Sequence, residues 1–325
     1  MTALKKDAAR IRGHLETLRN SPWLGPARKW WPNYLFHFTD IRNAICILEE
    51  GKLVCRNQAR MRKDIASSEV IDQTEEAWKN YVRLYFRPRT PTQFHNEGFR
   101  PRSNLGPLQA HCPMPIFFLF DSQALLTRET TQFSDGNLAV AAPSVGKDAT
   151  FLERIPFQKV YHASPLEEAE KRTIVYHRHA EVLVPEELDL RALRTIACRT
   201  EAELRTLQKL LSPKTWRKVQ RCIKIGRPLF YRARTFVEVT ELQQQKVTIR
   251  FNPNSETPGP FSIRLDVKNL DSGKTYFWKN EEYTANDDLR IAIPQLESST
   301  AYEIRLTLDG LMACADTYMP EDRVF

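Results

Sequence analysis

The chain has 325 residues, 42% of them hydrophobic, which is enough to bury the cores of two or three domains and excludes a disordered protein. Its 48 Lys and Arg against 40 Asp and Glu give a formal charge of +8. The distribution is uneven: residues 1–235 carry 39 basic and 25 acidic side chains, net +14, whereas residues 236–325 carry 9 and 15, net −6. A positive field of that size attracts polyanions such as nucleic acid. Pro115 to Phe120, the longest strongly apolar stretch, is far shorter than the roughly 20 residues of a membrane span. The N-terminus lacks the apolar core of a secretory signal, and the six cysteines show no C-x-x-C pairing, so a cytoplasmic protein with reduced thiols is expected.

Leu4, Ala8, Ile11, Leu15 and Leu18 fall at helical spacing and predict an amphipathic helix over residues 2–18. A Trp- and Pro-rich connector follows over residues 21–32, then a strand over 34–39. Asp40 caps a helix over Ile41 to Glu50 that stops at Gly51. Residues 56–80 are polar and read as a long loop with a short helix. Strands are expected at residues 81–86, 115–120, 138–142 and 180–184. Without an even βαβ rhythm or a G-x-G-x-x-G loop, the class is α+β.

Thr200, with Glu203 three positions on, predicts a capping box at the start of a helix over residues 200–211. Residues 212–234 hold eight basic side chains and no acidic one, interleaved with Trp216, Phe230 and Tyr231. This is either a solvated face or a polyanion-contacting surface. Beyond residue 235 the texture changes to short alternating runs at residues 236–242, 246–251, 261–267, 275–278, 289–293 and 302–308, separated by turn formers. That spacing predicts an immunoglobulin- or fibronectin-like sandwich. The organisation expected is an N-terminal helix and connector (1–33), an α+β domain with a basic C-terminal segment (34–235), and an all-β accessory domain (236–325).

Three polar clusters lie near predicted strand ends. His37 and Thr39 alternate with Phe38, so both can face one cleft, although a structural histidine is an open alternative. In Tyr85-Phe86-Arg87-Pro88-Arg89-Thr90-Pro91 two prolines hold the chain extended and present two guanidiniums suited to phosphate or carboxylate. In Arg178-His179-Ala180-Glu181-Val182-Leu183-Val184, Glu181 opens an apolar run, where a carboxylate must be paired or functional. The dispersed histidines form no metal-ligand pattern, and a serine hydrolase has no nucleophile elbow here.

Taken in order, H-F-T with D-I-R-N-A-I-x-I-L-E-E-G-K-L, then N-Y-V-R-L-Y-F-R-P-R-T-P, then R-H-A-E-V-L-V, the chain resembles the DarT family of nucleic-acid ADP-ribosyltransferases over roughly residues 34–211. The resemblance implies an ADP-ribosyltransferase-like fold and a toxin-type glycosyltransferase that uses NAD and no metal. It places ADP-ribose on a base of single-stranded DNA, in a toxin-antitoxin or phage-defence setting with a macrodomain antitoxin as partner. It also implies His37, Thr39, Tyr85 and Arg89 as cofactor contacts, Glu181 and Arg89 as catalytic residues, and a substrate-recognition loop near residues 133–137 and at Tyr161, His162 and Arg178. Lys214, Arg217, Lys218 and Arg221 would contact the nucleic acid. The loop 56–80, the residues 94–113 and the β domain fall outside what the resemblance covers, so the modified base and RNA as substrate stay open. A transferase acting on protein or small molecules and a non-catalytic binding module are the other readings.

Overall fold

The computed structural model describes residues 3–59, 75–104, 111–140, 143–297 and 299–321. The chain forms two compact units, one from Met1–Phe38, Glu50–His95 and Phe117–Ile196, the other from Thr39–Glu49, Asn96–Ile116 and Ala197–Phe325.

In chain order the strands up to residue 198 are β1 (Tyr34–Asp40), β2 (Lys52–Val54), β3 (Tyr81–Tyr85), β4 (Pro115–Asp121), β5 (Gln132–Ser134), β6 (Val145–Gly146), β7 (Glu181–Pro185), β8 (Glu187–Asp189) and β9 (Leu193–Cys198). The first unit is organised on a sheet of order β9-β4-β1-β3-β7-β5-β6, and β2 pairs with β8 separately. β4 is apolar and buried along nearly its whole length, the pattern of a central strand covered on both faces. The first helix, Ala8–Arg19, buries Ala8, Ile11, Leu15 and Leu18 as the periodicity predicts. It begins later than expected because residue 4 bridges Arg128 and the Lys5 amide bonds the Thr127 carbonyl, which leaves Leu4 54% exposed. The strand expected at residues 138–142 is not found: residues 138–140 form a turn, and residues 141–142 lie outside the described residues. Leu138 is buried within that turn, and a short apolar run does not separate the two cases. The strand belonging there is β5, which ends before that turn begins. Of the loop expected at 56–80, residues 60–74 lie outside the described residues, and Glu76–Asn80 is a 3-10 turn.

In the second unit the helix Ile41–Glu50 is capped as predicted: Asp40 accepts the Arg42 amide at 3.1 Å and its Nε at 2.7 Å. Thr200 caps the helix Glu201–Leu210 by accepting the Glu203 amide at 3.2 Å. The Glu203 carboxylate does not return to Thr200; it turns to Arg199. The remaining strands are β10 (Ile223–Ile225), β11 (Val237–Gln243), β12 (Lys246–Phe251), β13 (Phe261–Asn269), β14 (Thr275–Tyr283), β15 (Leu289–Ala292), β16 (Tyr302–Leu308) and β17 (Leu311–Tyr318). From β11 onward they build a three-stranded sheet β11-β12-β15 and a four-stranded sheet β14-β13-β16-β17. Phe261, Ile263, Leu265 and Val267 alternate inward along β13, and Tyr302, Ile304, Leu306 and Leu308 along β16. β17, with mostly small residues in LMACADTY, has no alternation to read.

The helix Glu201–Leu210 docks on β17 and β11. The Ala315 amide donates to Thr206 Oγ1 at 3.0 Å, Lys209 pairs with Glu303 at 2.6 Å, and Thr200 Oγ1 donates to the Val237 carbonyl at 2.9 Å. Residues 96–116 tie the same unit together. Glu97 accepts the amides of Tyr231 at 3.0 Å and Arg232 at 2.9 Å, and Arg199 donates to the Pro113 carbonyl at 2.8 Å. Gly98 adopts φ +84°, and a Cβ there would stand 2.8 Å from the Arg234 Cβ, so only glycine fits.

Candidate active site

Antiparallel pairing of β3 with β7 sets Tyr85 directly opposite Glu181 and Arg83 opposite Leu183. Partners across such a ladder point to the same face, so Arg83, Tyr85 and Glu181 converge. Glu181 is 1% exposed. Its carboxylate is held by both arms of a fork, Arg83 Nη2 donating to Oε1 at 2.7 Å and Nε to Oε2. Its amide donates to Ser134 Oγ at 3.1 Å, and that hydroxyl donates to the Gly136 carbonyl at 2.8 Å. Burial opposes the charge on Arg83, but the adjacent Glu181 outweighs it and raises the guanidinium further above its ordinary range. Burial first, and Glu181 second, push the Tyr85 phenol well up. A phenol held neutral in this way is a hydrogen-bond donor beside a carboxylate. Thr92 joins Tyr85 and lies 3.4 Å from His179 Nε2, while His179 Nδ1 faces the Val175 carbonyl at 2.9 Å. A carbonyl only accepts, so Nδ1 carries the proton. Burial lowers His179 to about 4, so the ring is neutral at physiological pH.

His37 Nδ1 faces the carbonyl of Arg83 at 3.1 Å, and burial lowers its affinity for a proton. By the same reasoning Nδ1 is protonated and Nε2 keeps a lone pair for a ligand. Thr39 is buried and accepts from Asn43 Nδ2 at 3.1 Å. The two arginines of the Tyr85–Pro91 segment separate clearly. Arg87 is buried: it donates to the carbonyls of Pro88, Val160 and His162 at 3.0, 2.9 and 2.6 Å and lies over the Trp31 ring at 5.2 Å. Arg89 is exposed at φ +56°, a left-handed conformation that its amide secures by donating to Gln93 Oε1 at 2.9 Å. A non-glycine residue held there is a candidate functional feature.

Tyr161 is corrected by its burial. At 1% exposure it stacks on Trp23 at 6.3 Å and packs against Trp31 and Phe157 at 5.9 and 5.3 Å, so its ring is not available to a nucleic-acid base. Its neighbour His162 is half-buried and accepts from Arg178 Nη2 at 2.8 Å. Burial and then Arg178, Arg87 and Arg28 lower His162, which keeps it neutral among cations. Lys214, Arg217, Lys218 and Arg221 are all exposed, on and just beyond the helix Pro213–Val219. Glu49 fastens the start of that helix through the Ser212 amide at 2.7 Å and Thr215 Oγ1 at 2.6 Å.

Sequence reasoning missed Arg83, Ser134, Thr92 and His179. Arg83 left a signal: in Y-V-R-L-Y-F it is a cation at the position that shares a face with Tyr85. Among the described residues no group of three His, Cys, Asp or Glu side chains could hold a metal, and no helix is long and apolar enough to cross a membrane.

Solved structures similar to this chain include Thermus sp. 2.9 DarT in complex with ADP-ribosylated ssDNA, 17% identical over 62% of this chain and 97% of that one, TM-score 0.48. The same Thermus protein in complex with NAD+ is 19% identical over 62% and 98%, TM-score 0.46. Thermosipho africanus DarTG in complex with ADP-ribose is 16% identical over 61% and 51%, TM-score 0.44. No curated protein matches. The family described as ssDNA thymidine ADP-ribosyltransferase, DarT, matches residues 36–231, more than half of the sequence, and the chain belongs to that family.

Proposed function

We propose that this protein transfers ADP-ribose from NAD to a thymine base of single-stranded DNA, with Glu181 as the catalytic carboxylate. The observation that carries the reading is a buried carboxylate gripped by Arg83 of the neighbouring strand, inside the region of the family match. In the reaction the bond between ribose C1′ and nicotinamide breaks and its electron pair leaves with the neutral nicotinamide. A base nitrogen bonds to C1′, and its proton goes to solvent. We assign Glu181 as the fixed negative charge that faces the cationic ribose, and removing such a preorganised group typically costs on the order of 100-fold or more in rate. Nicotinamide leaves as a neutral molecule, so no strong general acid is required.

The residues fit NAD as donor. His37 Nε2 offers an acceptor to a hydroxyl or amide N–H, the neutral Tyr85 phenol offers a donor, Thr39 lies further along β1, and the exposed Arg89 suits a pyrophosphate. His162 and Arg178, with the exposed Lys214, Arg217, Lys218 and Arg221, are assigned to the DNA backbone. A single strand is favoured because its bases can be unstacked without melting a duplex. We assign residues 34–235 as the catalytic region with residues 1–33 as its N-terminal helix and connector. Residues 236–325 are an accessory sandwich of fibronectin-like kind, a reading supported by a three-stranded and a four-stranded sheet, each paired antiparallel. Cytoplasmic action as a toxin or phage-defence effector, countered by a macrodomain antitoxin, rests on family membership alone.

The test is incubation of purified protein with NAD and separate single-stranded DNA, duplex DNA and RNA pools, followed by digestion and nucleoside mass spectrometry. A mass increase of one ADP-ribose on thymidine from the single-stranded DNA is expected. An adduct on an RNA nucleoside alone moves the substrate to RNA, and label on protein in place of both pools removes the nucleic-acid reading.

A further inference from the structure

We propose that Arg83 is the positioning residue of the site, fixing the plane of the Glu181 carboxylate and so the direction in which it can accept from a ribose hydroxyl. The inference rests on the reading of Glu181 as the group that faces the ribose. An ionised carboxylate offers about four lone-pair positions. The Arg83 fork occupies two of them, one on each oxygen, and Tyr85 stands directly across the ladder from Glu181. The Ser134 hydroxyl fixes the backbone on the other side through the Glu181 amide. A carboxylate gripped on both oxygens cannot rotate about its last torsion, so the positions left over have defined directions before any ligand arrives. That is the preorganisation on which electrostatic catalysis depends.

The surroundings allot the charge of Glu181 to Arg83. From β3 come Arg83 and Tyr85, from β5 Ser134, and two residues before Glu181 stands His179, which burial keeps neutral. His37 reaches the cluster through the Arg83 carbonyl and is likewise disfavoured as a cation by burial. None of these groups would supply the charge of Arg83 if it were removed. The side chain of Arg83 is 29% exposed against 1% for Glu181, so the fork has its open side where a ligand can approach.

The experiment uses the full-length protein and the variants Arg83→Gln, Arg83→Lys and Glu181→Gln. The Glu181 carboxyl is identified in glutamate-labelled protein as the carbon-13 signal that disappears in Glu181→Gln, and its position and line width are read at neutral pH in each folded variant. Arg83→Gln removes the grip on both oxygens, so that signal is expected to move and broaden. The turnover number should fall by about tenfold or more, with KM for NAD changed much less. Arg83→Lys keeps the charge and loses the fork, so turnover falls in it as well. A folded Arg83→Gln with the wild-type carboxyl signal overturns the proposal. If that variant does not fold, Arg83→Lys decides, and wild-type turnover in it removes the role of the fork. Should the wild type modify no nucleic acid at all, the functional reading fails while the carboxyl signal still judges Arg83.

Discussion

Glu181 and Glu203 are each 1% exposed, and each has a guanidinium on its carboxylate. At Glu203 the partner Arg199 is itself fully buried. It donates through Nε and Nη2 to Glu203 Oε1 and again through Nη2 to the Pro113 carbonyl, approaches Glu97 at 3.5 Å, and lies over the Phe236 ring at 4.2 Å. The second oxygen of Glu203 accepts the Arg199 amide at 3.1 Å. The guanidinium and both carboxylate oxygens are therefore engaged inside the protein, and the cluster staples residues 96–116 to the segments near 199 and 231. At Glu181 the arginine side chain is 29% exposed, against 0% for Arg199. A buried ion pair therefore does not mark a site by itself; an opening beside it does.

Substituting the two clusters should separate these roles. Arg199→Met leaves Glu97 and Glu203 buried without their cation, and breaking a buried pair of this kind costs about 3–5 kcal/mol, read as a lower denaturant midpoint. Glu181→Gln should leave that midpoint almost unchanged and lower the rate of transfer by about 100-fold or more. A destabilised but otherwise active Glu181→Gln would make the two clusters alike and end the distinction.

The next expected effect concerns charges that are not buried at all. Lys214, Arg217, Lys218 and Arg221 are exposed, in contrast to the engaged arginines 87 and 199. If they face phosphates, reversing their charge should weaken single-stranded DNA binding and flatten its salt dependence by about 0.7 in logarithmic slope for each phosphate no longer neutralised. An unaltered slope would reduce the segment to a solvated face.

What the sequence shows and what it hides divide along the range of the interactions. Caps are local, and Asp40 and Thr200 act where one-turn spacing predicts them. The strands of strong pattern, β1, β3, β4, β7 and most of those beyond residue 235, follow from alternation or an apolar run. Glu181 is legible because a carboxylate at the head of such a run demands an explanation. Its partner is not, since Arg83 reaches it only through the register of β3 on β7, 98 positions apart. Tyr161 misleads for the same reason: an aromatic beside His162 reads as a loop residue until Trp23, Trp31 and Phe157 are seen to enclose it.

Lys5 supplies the smallest and sharpest variation on the comparison, a buried cation whose ammonium rests on a carbonyl and a ring where Arg83 and Arg199 rest on carboxylates. It donates to the Leu126 carbonyl at 2.8 Å and lies 4.6 Å from the centre of the Phe133 ring. Burial lowers it to about 8, against the opposing pull of Asp7 and Asp148. The folded protein thus binds this proton less tightly than the unfolded chain, whose lysine titrates near 10.5. Below pH 8 both states are protonated and folding bears a constant cost. Between about pH 8 and 10.5 the folded state sheds the proton first, so stability rises with pH through that window. Lys5→Met has no such proton, so the stability of wild type relative to it should be flat from about pH 6 to 7.5 and climb from about pH 8 to 10 in denaturant titrations. A difference that stays flat throughout would mean that the Leu126 carbonyl and the Phe133 ring solvate the ammonium as well as water does, and that a buried cation here needs no carboxylate.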